Sequence, residues 1–351
     1  MTEQTGANGP SPAADGPLLR VRGLDVTYRR SRLRGGDVNA VRGVDLMVGR
    51  GETVGLVGES GSGKSTIGSA VLGLVPATGG RVEFDGADIT HSSRDARRLL
   101  ARRMQVVFQD PYGSMNPAHT VGDTLAEALR HNLGLPAAEI RERVLRALDD
   151  VGLPPGAAHR YPAAFSGGQR QRIAIARALV MEPDFIVCDE AVSALDLSVQ
   201  AQVLNLLARL KQSRGLSYLF ISHDLAVVRY LSDTIVVLYA GRVVERGPAA
   251  LVAGRPVHPY TRALLAAAPV PDPVVQRRRQ AERRLTATAD RAAGRISAGC
   301  AFAPRCPFAQ ETCWSVQPEL VEQDGVTVAC HRHEEIAAGT ALPDRTPAGA
   351  A

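Results

Sequence analysis

An α/β fold, with a mostly parallel sheet covered by helices on both faces, is predicted by three observations. Short apolar runs bounded by turn residues alternate along the chain with helical patterns, as buried parallel strands and their crossover helices do. One such run leads directly into Gly58-Glu-Ser-Gly-Ser-Gly-Lys-Ser65, which fits the phosphate-loop template G-x-x-x-x-G-K-[ST] between a strand and a helix. The 351 residues, 45% hydrophobic and 22% charged, suffice for a sizeable core and more than one folding unit.

The elements follow in order. Met1 to Gly16, rich in Gly, Pro and Ala, reads as part of a disordered lead (1–18) and lacks the basic start and apolar stretch of a secretory signal. Leu19 to Tyr28 and Arg81 to Phe84 alternate apolar with polar residues, which predicts half-exposed antiparallel strands. Thr53 to Val57, Gln105 to Phe108, Phe185 to Cys188, Tyr218 to Ile221 and Thr234 to Leu238 read as buried strands. From Val121 to about Tyr161 the pattern is helical, and we place a helical subdomain at about 121–180. Ile173, Ile175, Ala176, Leu179 and Val180 predict a helix over Arg170 to Met181. Val199, Val203, Leu206, Leu207 and Leu210 repeat at three and four and predict another. Pro269-Val-Pro-Asp-Pro273 marks a change of composition, so the core is expected to span 19–272. A cysteine-rich, loop-rich extension (273–336) and a disordered tail (337–351) follow.

Charge and composition exclude several classes. No run of eighteen apolar residues occurs, so no helical membrane span is expected. The net charge of +5 is spread along the chain and only 4% of residues are aromatic, so a nucleic-acid partner is not expected. The one dense basic run, Gln276-Arg-Arg-Arg-Gln-Ala-Glu-Arg-Arg284, reads as a solvated linker face, with attraction to anionic lipid as the alternative.

The loop from Gly58 to Thr66 carries specific chemistry. Gly58, Gly61 and Gly63 let the backbone approach phosphates, with Ser60 between them; Lys64 brings a point charge to β and γ oxygens, and Ser65 offers a hydroxyl to Mg²⁺. About a hundred residues later, Phe165-Ser-Gly-Gly-Gln169 opens a second helix with unpaired N–H donors. One nucleotide needs one cradle, so two phosphate-facing ends in one chain imply a dimer whose subunits close on each other's nucleotide.

With these motifs the chain resembles the ATPase subunits of ABC transporters, within them the oligopeptide/dipeptide-importer branch, from about Leu19 to Cys330. The residues that carry the likeness are Tyr28, the loop Gly58 to Thr66, Gln109 in Phe108-Gln-Asp-Pro-Tyr-Gly-Ser114, Ser166-Gly-Gly-Gln169, Phe185-Ile-Val-Cys-Asp-Glu190, Ser193-Ala-Leu-Asp196 and His223. The resemblance implies an ABC ATPase core with an antiparallel subdomain and a membrane-facing helical subdomain. It also implies roles: Tyr28 stacks on adenine; Asp189, with Ser65 and Gln109, holds the Mg²⁺ shell; Glu190 is the general base; and His223 contacts the γ-phosphate. Ser166, Gly167, Gly168, Gln169 and Asp196 act in trans on the partner's ATP. Phe165 stands where many members carry leucine, and no polar position departs from the pattern.

Four of the five cysteines fall late: Cys300, Cys306, Cys313 and Cys330. With no export signal, disulfides are not expected and a metal site is. The spacings lack a Cys-x-x-Cys knuckle, which suits zinc less well than an iron–sulfur cluster, and plain buried thiols stay open. Similarity to the C-terminal extension of peptide-importer ATPases implies a [4Fe-4S] cluster on these four thiolates, with His331 able to replace one. Cys188, inside a strand, reads as a small apolar residue.

The resemblance further implies a peripheral ATPase on the cytoplasmic face of the membrane, with two permease subunits and, indirectly, an extracytoplasmic substrate-binding protein. The arginine-rich insert Arg29 to Gly36 and the wording around Gln109 most resemble the second ATPase subunit of heterodimeric importers, so a non-identical ATPase partner is expected and a homodimer is the alternative. Peptides are the expected cargo, with nickel chelates or other small solutes as alternatives. A DNA-repair ABC ATPase would need a long coiled-coil insert, and a translation-factor ABC protein two cassettes; the chain has neither.

Overall fold

A computed structural model describes residues 16–29, 36–110, 113, 115–267 and 298–340. The expectations for the first fifteen residues, most of the arginine-rich insert, the boundary at Pro269 to Pro273, the basic run 276–284 and the end of the tail lie outside the described residues.

Two sheets organise the described residues. The smaller is antiparallel, in the order β2 (Val38–Val48), β1 (Leu19–Tyr28), β4 (Gly79–Phe84), β5 (Ala87–Asp88). Its pairing sets Leu19 opposite Val48 on one side and Phe84 on the other. The larger sheet has eight strands. Its parallel heart runs β6 (Met104–Val107), β7 (Phe185–Asp189), β8 (Ser217–Ser222), β3 (Thr53–Val57), β9 (Thr234–Tyr239).

These central strands read as continuous apolar runs because both faces are covered. The side-chain period of two divides them between two cores. Val54, Leu56, Val187, Leu219, Ile221, Val236 and Leu238 face the antiparallel sheet and α1 (Lys64–Val71), whose Ile67 is fully buried there. Val57, Ile186, Cys188, Tyr218, Phe220, Ile235 and Val237 face the second core, which holds most of the helices. Cys188 is fully buried in that packing, and burial pushes its thiol up to about 12, consistent with a small apolar role.

After α2 (Arg94–Arg103), which leads into β6, the helical region contains α3 (Val121–Leu133) and α4 (Ala137–Asp150), followed by two short 3₁₀ turns. Val121, Leu125 and Leu129 repeat at four on α3, and Ile140, Val144, Ala147 and Leu148 form the matching stripe on α4. Thr120 caps α3 by accepting from Asp123 N at 3.1 Å. α5 (Gly167–Leu179) returns the chain to the sheet, and α6 (Leu197–Arg214) packs beside it.

The extension beyond residue 297 joins the large sheet. β10 (Arg242–Pro248) pairs with β9 and, on its other side, with β12 (Val326–Val328); β11 (Val321–Gln323) closes that edge. The β11–β12 turn is Asp324-Gly325, both at positive φ (52° and 81°), the geometry of a tight hairpin whose twist matches its strands.

Candidate functional site

The site sits where several parallel strands end. β3 ends at Val57 and the chain turns through Gly58 to Gly63 into α1. Gly63, the residue before α1, has φ +103°, and a Cβ there would stand 2.4 Å from Ala40 O, so no other residue fits without moving the antiparallel sheet. Gln109 follows β6, Asp189 ends β7 with Glu190 next, and His223 follows β8. These tips enclose an open cleft of about 830 Å³ lined by Tyr28, Ser60, Gly61, Gly63, Lys64, Ser65, Thr66, Gln109, Asp189, Glu190 and His223. Nearly all the cis residues expected from sequence therefore meet in one place, at the carboxyl edge of the sheet where α/β proteins bind ligands.

Lys64 is buried, and its Nζ donates to Gly58 O at 2.8 Å and Glu59 O at 2.9 Å. Burial pushes its pKa down, while Glu190, Asp189 and Glu59 pull it back. Ser65 Oγ donates to Asp189 Oδ1 at 2.8 Å, which sets a hydroxyl beside a carboxylate, the hard oxygen donors that Mg²⁺ prefers. Burial raises the Asp189 pKa, the Ser65 hydroxyl opposes that, and Glu190 adds to it. Glu190 holds φ +50°, a left-handed backbone uncommon for glutamate and characteristic of strain kept at functional sites. Its N–H donates to Ile221 O at 3.0 Å, and its Oε2 lies 3.1 Å from His223 Nδ1. Tyr28 stands half-exposed at the cleft mouth, its hydroxyl 3.4 Å from Thr66 Oγ1.

The second motif is elsewhere. Ser166 is the N-cap of α5 in a reciprocal capping box: its Oγ accepts from Gln169 N at 3.4 Å, and Gln169 Oε1 accepts from Ser166 N at 3.1 Å. A Cβ on Gly168 would meet Val199 Cγ1 at 2.3 Å, so this glycine serves the packing of α5 on α6; Gly167 faces open space. Asp196 caps α6 by accepting from Val199 N at 3.0 Å. None of these residues lines the cleft of its own chain.

Cys300, Cys306, Cys313 and Cys330 line one small enclosed cavity together with His258, His331 and Arg332. The expected iron–sulfur or zinc centre is not found as a formed site: among the described residues no group of three or more His, Cys, Asp or Glu side chains is placed to hold a metal ion. The physical reason is packing. About 20 Å³ is free, room for a single water, and burial pushes Cys306 up to about 12 and Cys330 up to about 11. The four thiols are nonetheless a donor set that fits four-thiolate ligation, gathered on one cavity.

Two residues that sequence reasoning passed over reach the phosphate loop from the C-terminal side. Arg305 grips the Glu59 carboxylate with both guanidinium nitrogens at 2.8 and 2.9 Å, and the buried Tyr260 hydroxyl accepts from Glu59 N at 2.7 Å. Glu59 occupies a variable position of the loop template, so no motif flagged it.

Comparison with known proteins decides the family. A profile described as "ABC transporter" matches residues 41–193, and one described as "Oligopeptide/dipeptide transporter, C-terminal region" matches 244–313. A Brucella ovis protein, provisionally named a peptide import ATP-binding protein, is 50% identical over 320 residues, 90% of this chain and 98% of that one. The chain belongs to the ABC transporter ATP-binding family. A Sinorhizobium fredii relative, provisionally named a peptide ABC transporter ATP-binding protein, is 47% identical over 307 residues, covering 87% of this chain and 86% of its own. Among solved structures, cbiO1 from Clostridium perfringens, part of the ABC transporter complex cbiONQ, superposes with a TM-score of 0.61 at 31% identity, covering 69% of this chain and 92% of that one. The ATP-binding cassette MJ0796, a dimer in a post-hydrolysis state with ADP and Pi, gives 0.59 at 28% identity, covering 66% and 99%. This ABC protein is an ATPase with an α/β cassette fold, and among its described residues no helix is long and apolar enough to cross a membrane.

Proposed function

We propose that this ABC ATPase energises peptide import, working as one of two cassettes on the cytoplasmic face of the membrane beneath two permease subunits. One observation carries the dimeric mechanism: the cleft gathers Lys64, Ser65, Gln109, Asp189, Glu190 and His223, while Ser166 to Gln169 and Asp196 lie outside it. A complete site then needs the second motif from another subunit, as the resemblance implies. Names of the relatives support the peptide cargo, and the arginine-rich insert supports a non-identical ATPase partner over a second copy. Residues 19–272 are the ATPase unit and 273–336 an extension that adds strands to its sheet.

In the closed dimer Lys64 holds the β and γ oxygens, and Tyr28 stacks on adenine. Mg²⁺, when bound, neutralises developing phosphate charge. Ser65, Asp189 and Gln109 would hold it. Glu190 polarises the attacking water and takes its proton, His223 orients the γ-phosphate, and the partner's equivalents of Ser166, Gly167 and Gly168 stabilise the negative charge from the opposite side. ATP-driven closure would switch the permeases, and hydrolysis would release the seam. The test is uptake into vesicles carrying the two permeases, both ATPases and a binding protein, with ATP inside the cytoplasmic-side compartment. Labelled peptide should accumulate only with ATP and with Glu190 intact. Accumulation of nickel chelate and not of peptide would replace the cargo assignment.

The four late cysteines supply the donors for a [4Fe-4S] cluster, a reading supported by their convergence on one cavity and by the matched C-terminal region. Loading would require the cavity to open. Protein purified without oxygen is expected to carry iron and acid-labile sulfide and a brown colour that Cys306→Ser abolishes. Zinc or no metal would remove the cluster and leave the ATPase chemistry in place.

A further inference from the structure

Glu59 is held at every polar atom it owns. Its carbonyl accepts from Lys64 Nζ, its N–H is bound by Tyr260, and its carboxylate is clamped by Arg305. Two of these three holds come from outside the loop, from residues 201 and 246 positions further along the chain. Both connect to the thiol cavity. Tyr260 packs edge-on against Tyr239, with ring centroids 4.6 Å apart, and lies 5.5 Å from Phe302, itself a wall of that cavity. Arg305 ends a 3₁₀ turn, Ala303–Arg305, set between two of the cysteines. Ala303 N donates to Cys300 O at 3.0 Å, Arg305 N to Phe302 O at 2.9 Å, and Cys306 N to Ala303 O at 3.2 Å. The guanidinium also lies 5.7 Å from the Phe302 ring centre. A shift of Cys300 or Cys306 therefore moves the base of Arg305.

The chemistry of the pair has a direction. A triphosphate brings several negative charges to the loop, and an uncompensated Glu59 carboxylate in that loop would repel them. The planar fork of Arg305 cancels this charge and fixes the loop in the shape its backbone donors require. We propose that Arg305 is a positioning residue for the phosphate loop, and that through it the state of the four-cysteine cavity sets the affinity for ATP. The proposal rests on the cleft being the nucleotide site, and its test separates the two.

Equilibrium binding of a fluorescent, non-hydrolysable ATP analogue and steady-state hydrolysis are measured on the full chain as wild type, Arg305→Ala, Arg305→Lys, Glu59→Gln and the double variant Arg305→Ala with Glu59→Gln. The pair is partly exposed, so Arg305→Ala should weaken binding about 3–10-fold, with kcat at saturating ATP changed less than about twofold. Arg305→Lys should restore part of the affinity, and Glu59→Gln should restore most of it in the Ala background, because it removes the stranded charge. Cys313→Ser should shift the affinity with Arg305 present and leave it unchanged in Arg305→Ala. If Arg305→Ala does not fold, as judged by its melting curve, Arg305→Lys and Glu59→Gln carry the comparison. Unchanged analogue affinity in every Arg305 and Glu59 variant, or an equal Cys313→Ser shift in both backgrounds, overturns the proposal. Failure of the wild type itself to bind the analogue refutes the nucleotide site instead.

Discussion

Glu190→Gln is expected to cut ATP hydrolysis by about 10²–10⁴-fold, the range a general base contributes, while ATP still binds. Glutamine keeps the volume of Glu190, and its side-chain carbonyl can still accept from His223 Nδ1, which lies 3.1 Å from the present carboxylate oxygen. It cannot take a proton from water. The backbone at 190 is held at φ +50° by the β7 tip and the bond from Glu190 N to Ile221 O, so a same-size replacement leaves the turn in place. Binding should survive because, in the proposed mechanism, the phosphate grip comes from Lys64 and the loop amides, on another strand tip. Two readouts separate the roles: phosphate release at saturating ATP should collapse, and gel filtration with ATP should show dimers that the wild type, which in the proposed cycle reopens after each turnover, should not accumulate. Hydrolysis within tenfold of wild type would remove Glu190 from the role of base and leave His223 or a phosphate oxygen to accept the proton.

Much of the cassette could be read from residues alone. Thr53 to Val57 reads as a buried strand and is β3 with the same bounds, because a strand covered on both faces is apolar along nearly its whole length. α5 begins at Gly167 and not at Arg170, since Ser166 and Gln169 form a capping box that starts the helix before its apolar stripe. That signal, Ser-x-x-Gln, was present in the sequence. β2 escaped notice because pairing shifts along β1 break its alternation between Val41, Val44 and Leu46. Asp324-Gly325 is a local hairpin signal that the sequence reading left unused, and its docking on β10 opposite Glu245 depends on tertiary contacts that no local pattern encodes. The same limit hid Arg305, whose partner is 246 residues away in sequence. Motifs name the atoms that touch the ligand; the residues that hold those atoms in place are visible only once the chain has folded.

Lys64→Met should lower ATP affinity by roughly 100-fold or more. The substitution keeps an unbranched chain and removes the ammonium, which donates two charge-assisted hydrogen bonds, to the carbonyls of Gly58 and Glu59. Burial and these two bonds hold the ammonium largely out of water, so contact with β and γ oxygens needs little further dehydration. Each bond to a charged group contributes about 1.5–3 kcal/mol, and losing two of them accounts for the expected factor. The nearby acids sharpen the effect. Glu190 and Asp189 favour the charged form of Lys64 against its burial, so removing the ammonium leaves their negative charge facing the incoming triphosphate without its nearest counter-charge. Hydrolysis should fall with binding and, because the ammonium also neutralises charge developing on the γ oxygens, should not be recovered by raising ATP; the loss of binding distinguishes this variant from Glu190→Gln, where binding persists. Titration calorimetry with ATP and Mg²⁺ checks the first point and a saturation curve the second; affinity within threefold of wild type would show that the backbone cradle alone holds the phosphates.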